Sequence, residues 1–112
     1  MQKFIFVLSV VCLSGCGAFA TRPAKQMAYA ESAFQAASNT GAETLAPQFY
    51  QVSRDTLLRA RAAYRSKNFK EARNLAIRTR RMAEEAELKA LRSEKNADSL
   101  NVVPSNGKPA NE

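Results

Sequence analysis

The sequence predicts an all-α fold: a small three-helix antiparallel bundle, or helical hairpin, whose third helix is long and rich in alanine. Apolar residues recur at spacings of three and four in three consecutive segments, which is the period of one face of an α-helix. Proline, glycine or asparagine stands between these segments, where helices begin and end. No segment carries a strand signal, and 112 residues suffice for at most one small domain.

Residues 1–15 have the composition of a secretory signal peptide. Lys3 supplies a positive charge, residues 4–13 are apolar except for Ser9, and small residues follow. A helix needs about 20 apolar residues to cross a bilayer, so this apolar run is too short to be a membrane span.

The motif Leu13-Ser14-Gly15-Cys16 resembles the lipobox of bacterial lipoprotein precursors. The resemblance implies that diacylglycerol is attached to the sulfur of Cys16 and that the chain is cleaved before this residue. A plain signal peptide with a chance cysteine is the alternative. Residues 16–22 then form a lipidated tether that spans roughly 20 Å when fully extended, which keeps the domain close to the membrane.

The helical domain is predicted over residues 23–96, and its first helix over residues 23–38. Pro23 suits the first helical position, and Gly41 suits the left-handed position that follows a helix. The apolar face of this helix comprises Met27, Ala30, Phe34 and Ala37.

The second helix is predicted over residues 47–66, after a connector at residues 42–46, and it opens on a proline. A turn at Ser66-Lys67 follows, and Asn68 is the expected N-cap of the third helix, with Glu71 as its partner three residues on. The face of the second helix comprises Tyr50, Ser53, Leu57, Ala60 and Tyr64.

The third helix, predicted over residues 69–96, carries the most regular pattern of the chain. Its seam has two residues per heptad, and nearly all are small, so a partner helix can approach closely. This helix is longer than its partners, so its last two or three turns should project past the bundle. The partner is either the second helix or, at the projecting end, another chain, for which Ala83, Ala86 and Ala90, continued by Ser93 and Ala97, are the candidate contacts. The seam consists of Phe69, Ala72, Ala76, Thr79, Ala83, Ala86 and Ala90.

From residue 97 the apolar pattern fails, and residues 97–112 are predicted to be a disordered tail.

Residues 28–91 resemble a bacterial lipoprotein family known as domain of unknown function 4398. The features that match are Gly41-Ala42, Ala46-Pro47 and Asn68-Phe69, followed by the alanine-rich third helix. The resemblance implies a helical lipoprotein of the cell envelope, and it brings no catalytic or ligand-binding residues to this chain.

The net charge of +7 is concentrated between residues 54 and 81, where ten basic residues accompany two acidic ones. Such a segment attracts anions. The candidate ligands are phospholipid headgroups, lipopolysaccharide and acidic wall polymers, whereas nucleic acid is not expected for an exported, membrane-anchored chain. The alternative is a solvated surface without a ligand. The candidate anion-binding residues are Arg59, Arg61, Arg65, Arg73, Arg80 and Arg81.

The residue types exclude most catalytic chemistry. The chain has no histidine, and neither cysteine is expected to remain a free thiol, which excludes the common metal sites and nucleophile pairs. We interpret the cluster Glu84, Glu85 and Glu87 as solvated surface. We expect no enzyme, no metal and no cofactor besides the lipid on Cys16. The aromatic residues are expected in the core or seam, with a ligand groove as the alternative, and they are Tyr29, Phe34, Phe49, Tyr50, Tyr64 and Phe69.

Together these features favour a non-enzymatic lipoprotein that is anchored in the outer membrane, faces the periplasm, and acts there as a helical scaffold or adaptor. The expected partners are the membrane, through the lipid, and an envelope protein or a second copy, through the third helix. An envelope anion-binding module is the alternative function, and a regulatory subunit of an envelope enzyme is a more remote one.

Overall fold

The computed structural model describes residues 21–102, which form four α-helices and no strand. Helix α1 spans Ala24–Asn39, α2 spans Ala42–Leu45, α3 spans Pro47–Arg65 and α4 spans Phe69–Asn101. The predicted all-α fold, with a long alanine-rich helix after two shorter ones, is confirmed. Helices α1 and α3 differ from the predicted ranges by one residue at their ends.

The connector expected at residues 42–46 contains a turn of helix, α2, which the sequence pattern did not predict. Gly41 adopts the left-handed conformation, with φ of 69°, and its carbonyl accepts hydrogen bonds from the backbone N–H groups of Thr44 and Leu45. The glycine that follows α1 therefore also starts α2, because its carbonyl points forward into the first turn of the new helix.

Two groups of buried residues define how the helices run. In one, Ala30 of α1 packs with Leu57 of α3 and Ala76 of α4. In the other, the later α1 residue Ala37 packs with the earlier α3 residue Tyr50 and with α4 residues from Ala83 onward. Helices α1 and α4 therefore run in the same direction, and α3 runs antiparallel to both.

Alanine supplies most of the core. Because the alanine side chain is small, the helices can approach one another closely, and its burial costs no side-chain conformational entropy. Larger side chains fill the core at Tyr50, whose ring stacks on Phe34 at a centroid distance of 5.1 Å, and at Leu57. The buried apolar residues of the described chain are Ala30, Ala37, Ala42, Ala46, Tyr50, Leu57, Ala60, Ala72, Leu75, Ala76, Ala83, Ala86 and Ala90.

Three hydroxyl groups are buried among these alanines, and each donates a hydrogen bond within its own helix. Ser53 donates to the carbonyl of Tyr50 at 2.7 Å, Thr79 donates to the carbonyl of Leu75 at 2.9 Å, and Thr56 bonds the carbonyl one turn earlier in α3. No buried side-chain N or O atom of residues 21–102 lacks a partner. These small polar residues therefore occupy the seam without an unsatisfied group.

The turn between α3 and α4 is a Schellman motif that has lysine where glycine is usual. The N–H of Lys67 donates to the carbonyl of Tyr64, and the N–H of Asn68 donates to the carbonyl of Ala63. Lys67 adopts the left-handed conformation, with φ of 62°. The Asn68 side chain accepts a hydrogen bond from the backbone N–H of Glu71, as predicted for the N-cap. The backbone N–H of Asn68 donates to the carbonyl of Ala63 and not to the side chain of Glu71, its predicted partner.

Helix α4 continues to Asn101, five residues beyond the predicted end at residue 96. The polar residues that predicted a tail from residue 97 are accommodated in the helix, where the Ser99 hydroxyl donates to the carbonyl of Lys95 at 2.9 Å. The first residue that resists helix formation is Pro104. The predicted signal peptide and the rest of the predicted tail lie outside the described residues.

Helix α4 is longer than the bundle that surrounds it. Its last buried residue is Ala90, and all residues from 91 to 102 are exposed. At 1.5 Å per residue, residues 91–101 extend the helix by about 16 Å beyond its packed part. This projecting end and the grooves between helices are the surfaces that remain accessible to a ligand or a partner.

Candidate functional site

The predicted lipidation site, Cys16, lies outside the described residues. Its assignment continues to rest on the lipobox resemblance. Among residues 21–102, none of the helices is both long enough and apolar enough to cross a membrane.

The three alanines predicted to contact a partner chain are buried within this one. Ala83, Ala86 and Ala90 are fully inaccessible, and they pack against residues of α1, α2 and α3, among them Ala42 and Tyr50. They have no surface left for a partner helix. Of the two alternatives for the seam, the structure contains the intramolecular one.

The heptad phase of the seam continues beyond its buried part. Ser93, Ala97 and Leu100 follow Ala90 at steps of three, four and three, and all three are exposed. Of the predicted partner positions, the accessible ones are therefore Ser93 and Ala97, one to two turns beyond the buried part of the seam.

The six predicted anion-binding arginines are exposed, but the structure does not gather them into one site. Arg80 and Arg81 line the same groove, between α1 and α4. Arg65 lies at the hairpin end with Arg22 and Lys67. Arg61 lines another groove, beside Arg54, and Arg59 and Arg73 are exposed on α3 and α4.

Arg61 is bound to an acidic residue of the first helix. Its Nε and Nη2 atoms donate to the two carboxylate oxygens of Glu31 at 2.6 and 2.5 Å, which ties α3 to α1. The hydrogen bond to Glu31 raises the pKa of Arg61 above its ordinary value, so the guanidinium stays charged. Because both side chains remain partly exposed, the pair stabilises the fold only weakly. Arg61 therefore serves as an internal contact more than as a ligand site.

The groove between α1 and α4 has a volume of about 440 Å³. Lys25 and Tyr29 contribute from α1, one turn apart, and Ile77, Arg80 and Arg81 contribute from α4. Three cationic side chains therefore surround one groove, together with an aromatic ring that is 47% exposed and an isoleucine that is 42% exposed. The groove can receive a ligand that has both an anionic and an apolar part.

The charge in this groove changes sign along α4. The Nε atom of Arg80 lies 3.0 Å from the carboxylate of Glu84, and an adjoining depression is lined by Glu84 and Glu87 together with Ser32 and Ala36 of α1. An anion is therefore attracted to the end of the groove near Lys25 and repelled from the end near Glu87.

Two residues of this groove were not among the predicted site residues. Tyr29 was expected in the core or seam, with a ligand groove as the alternative, and it lies at the edge of the helix contact. Lys25 was not singled out. The signal that could have found them is the spacing of four residues, which places both on one side of α1, where the Lys25 Nζ atom lies 5.8 Å from the centre of the Tyr29 ring.

No group of acidic or cysteine residues in the described part of the chain is arranged to hold a metal ion. The glutamates at positions 84, 85 and 87 are exposed or half-buried on α4, and the one ion pair they make in that part is between Arg80 and Glu84.

Comparison with known families finds a match over residues 25–101 to the family described as Domain of unknown function (DUF4398). The match covers α1 to α4 and more than half of the chain. Neither the comparison with curated proteins nor the comparison with solved structures finds a match.

Proposed function

The chain belongs to the DUF4398 family of unknown function, and from that premise we propose that it is a non-enzymatic, lipid-anchored scaffold or adaptor of the cell envelope. The lipobox motif that ends in Cys16 supports the anchor. With two or more acyl chains the attachment is firm, whereas one chain is marginal. The outer membrane is the proposed site by resemblance, because Gly17 stands where many enterobacterial lipoproteins held at the inner membrane have an aspartate.

The observation that carries the scaffold role is the projecting end of α4. Residues 91–101 stay helical although no other described helix packs on them. Isolated helical segments of this length are marginal in water, so a partner that packs on the continued seam would stabilise them. The seam residues Ser93 and Ala97 are small and would let a partner helix approach closely.

Photo-crosslinking in cells tests the scaffold role. A photoreactive phenylalanine analogue is placed at Ser93 or Ala97 on the seam, and at Arg92 or Lys95 on the other side of the same helix as matched controls. We expect adducts several times more abundant from the seam positions. The mass of the adduct shows whether the contact is with another protein or with a second copy of the chain. The absence of adducts, or equal adducts from all four positions, contradicts the scaffold role.

A second candidate function is anion binding at the envelope. It is supported by four of the six predicted arginines, which are exposed and make no ion pair within residues 21–102: Arg59, Arg65, Arg73 and Arg81. Each basic residue near an anionic membrane surface contributes about 1 kcal/mol to binding, and added salt weakens this attraction.

The salt dependence of binding tests the second function. The chain is purified in a neutral detergent, and its affinity is measured for mixed micelles that contain phosphatidylglycerol. The affinity should fall steadily as salt is added. An affinity that does not depend on salt, or no binding at low salt, contradicts the anion-binding function.

A further inference from the structure

We propose that the groove between α1 and α4 is a binding site for an anionic phospholipid. Lys25, Arg80 and Arg81 hold the phosphate group, and Tyr29 and Ile77 contact the apolar part of the same molecule. The inference rests on the anion-binding function proposed above, and it places that function in one groove.

The cationic side chains of the groove are available to a ligand. Lys25 and Arg81 form no ion pair within the described part of the chain. Arg80 meets Glu84 through Nε, and an arginine in such a pair still carries further N–H donors. Guanidinium groups bind phosphate through short, charge-assisted hydrogen bonds, so two arginines and a lysine suit a phosphodiester.

The apolar side chains of the groove favour a lipid over a small hydrophilic anion. Tyr29 and Ile77 are each close to half exposed although they lie beside three cations. Inorganic phosphate and hydrophilic polyanions gain nothing from such contacts. An amphiphile covers this apolar area while its phosphate meets the cations, and the area removed from water contributes to its affinity.

The groove on the other side of α1 does not offer the same chemistry. It also has a volume of about 440 Å³, but it is lined by Glu43 together with Arg54 and Arg61. Arg61 is already bound to Glu31 through two hydrogen bonds. One carboxylate in the lining and one occupied guanidinium leave this second groove close to neutral, so a phosphate favours the groove that contains Lys25.

The position of Lys25 in the chain favours a ligand from the membrane. It lies nine positions after Cys16, and a fully extended segment of that length spans about 30 Å. If Cys16 carries the lipid anchor, the groove lies within this distance of the bilayer surface. Attachment to the membrane then raises the effective concentration of phospholipid at the groove.

Binding of phospholipid in neutral-detergent micelles tests the site without depending on the lipid anchor. The chain is purified from cells as it occurs there, and its affinity is measured for phosphatidylglycerol, phosphatidylcholine and inorganic phosphate. Two variants with the same change in net charge are compared: K25Q/R80Q/R81Q in the groove and R59Q/R65Q/R73Q outside it. Circular dichroism of each variant shows whether the helices are retained.

We expect the groove variant to lose affinity for phosphatidylglycerol by at least about tenfold, since each basic residue contributes about fivefold near anionic lipid. The matched variant should lose far less. I77A should weaken binding of phosphatidylglycerol several-fold while the binding of inorganic phosphate stays as it was. If instead both triple variants lose equally, the anion-binding function stands and the groove is not its site, and if phosphatidylglycerol does not bind the parent chain, both proposals fail.

Discussion

At the scale of single residues, alanine determines how tightly this protein packs. Ala30, Ala76 and Ala83 are fully inaccessible, and each belongs to a contact among three or four helices. Protein cores are packed at a density close to that of organic crystals, so a site built around a methyl group has no room for a longer side chain. A substitution that enlarges one of these buried alanines should therefore lower the stability of the bundle more than one that removes the methyl group.

Replacing Ala83 by leucine tests this packing. The substitution adds three carbons to a filled site, and we expect it to lower the free energy of unfolding by about 1–3 kcal/mol. Ala97, two heptads later in the same seam, is exposed, and A97L should change the free energy of unfolding by less than about 0.5 kcal/mol. Urea unfolding followed by circular dichroism measures both, and equal effects would contradict the packed seam.

Heptad spacing predicted the buried face of α4 but not the edge of the face of α1. Every seam residue from Ala72 to Ala90 is buried, because a period of two residues per heptad follows one line along a helix. Tyr29 was expected in the core or seam in preference to a ligand groove, yet it lies in a groove. Whether a residue at the edge of a face is covered depends on where the neighbouring helix passes, which no local pattern records.

At the scale of elements, the turn between α3 and α4 is the least favourable piece of backbone in the described chain. Lys67 is the one non-glycine residue of that part with positive φ. A residue with a Cβ atom pays roughly 1–2 kcal/mol in this conformation. The sequence placed the turn at Ser66-Lys67, but lysine gives no signal of a left-handed residue as Gly41 does.

The variant K67G should stabilise the hairpin by about 0.5–1 kcal/mol, because the relief of strain exceeds the extra entropy of glycine in the unfolded chain. Ser66 is the matched control, since its φ of −80° gives glycine no advantage. S66G should therefore destabilise the protein by about 0.5–1 kcal/mol. Thermal unfolding of both variants gives the sign of each effect, and a destabilising K67G would show that the lysine side chain makes a contact that outweighs the strain.

The two parts of α4 should differ in how often they open. Residues 72–90 contribute the seam, whereas residues 91–101 have no buried side chain. Hydrogen bonds that are not covered by packed side chains open locally at low cost in free energy. We expect amide hydrogen exchange to be slow up to Ala90 and much faster from Glu94 onward.

Slow exchange up to Asn101 would mean that something covers the projecting end in solution. In that case the exchange rate is measured at several protein concentrations, because only association between chains, and not packing within one chain, depends on concentration.

The sequence predicts that the end of α4 projects, but it places the helix end at residue 96 instead of Asn101. The polar composition after residue 96 indicates a helix end only weakly, whereas proline indicates one strongly.

At the scale of the whole molecule, the charge pattern of the sequence and that of the surface are different. The basic segment at residues 54–81 is continuous along the chain, but helical geometry turns successive residues to different sides. One of its arginines, Arg61, is bound by Glu31, and two others meet Lys25 in a groove. Both partners come from α1, distant in sequence, so the chain order could predict an attraction for anions but not where it is strongest.

The lipid anchor can be tested against the two cysteines of the N-terminal segment. Cys16 ends the lipobox, whereas Cys12 lies in the apolar run before it, so C16S should abolish acylation and C12S should leave it unchanged. Mass spectrometry of the N-terminal peptide and fractionation of the cell envelope measure this. Because the described fold begins after residue 20, circular dichroism should show the same helices in both variants. If C16S matures and fractionates like the parent chain, the domain is not held at the membrane by a lipid, and the local supply of phospholipid to the groove is lost with it.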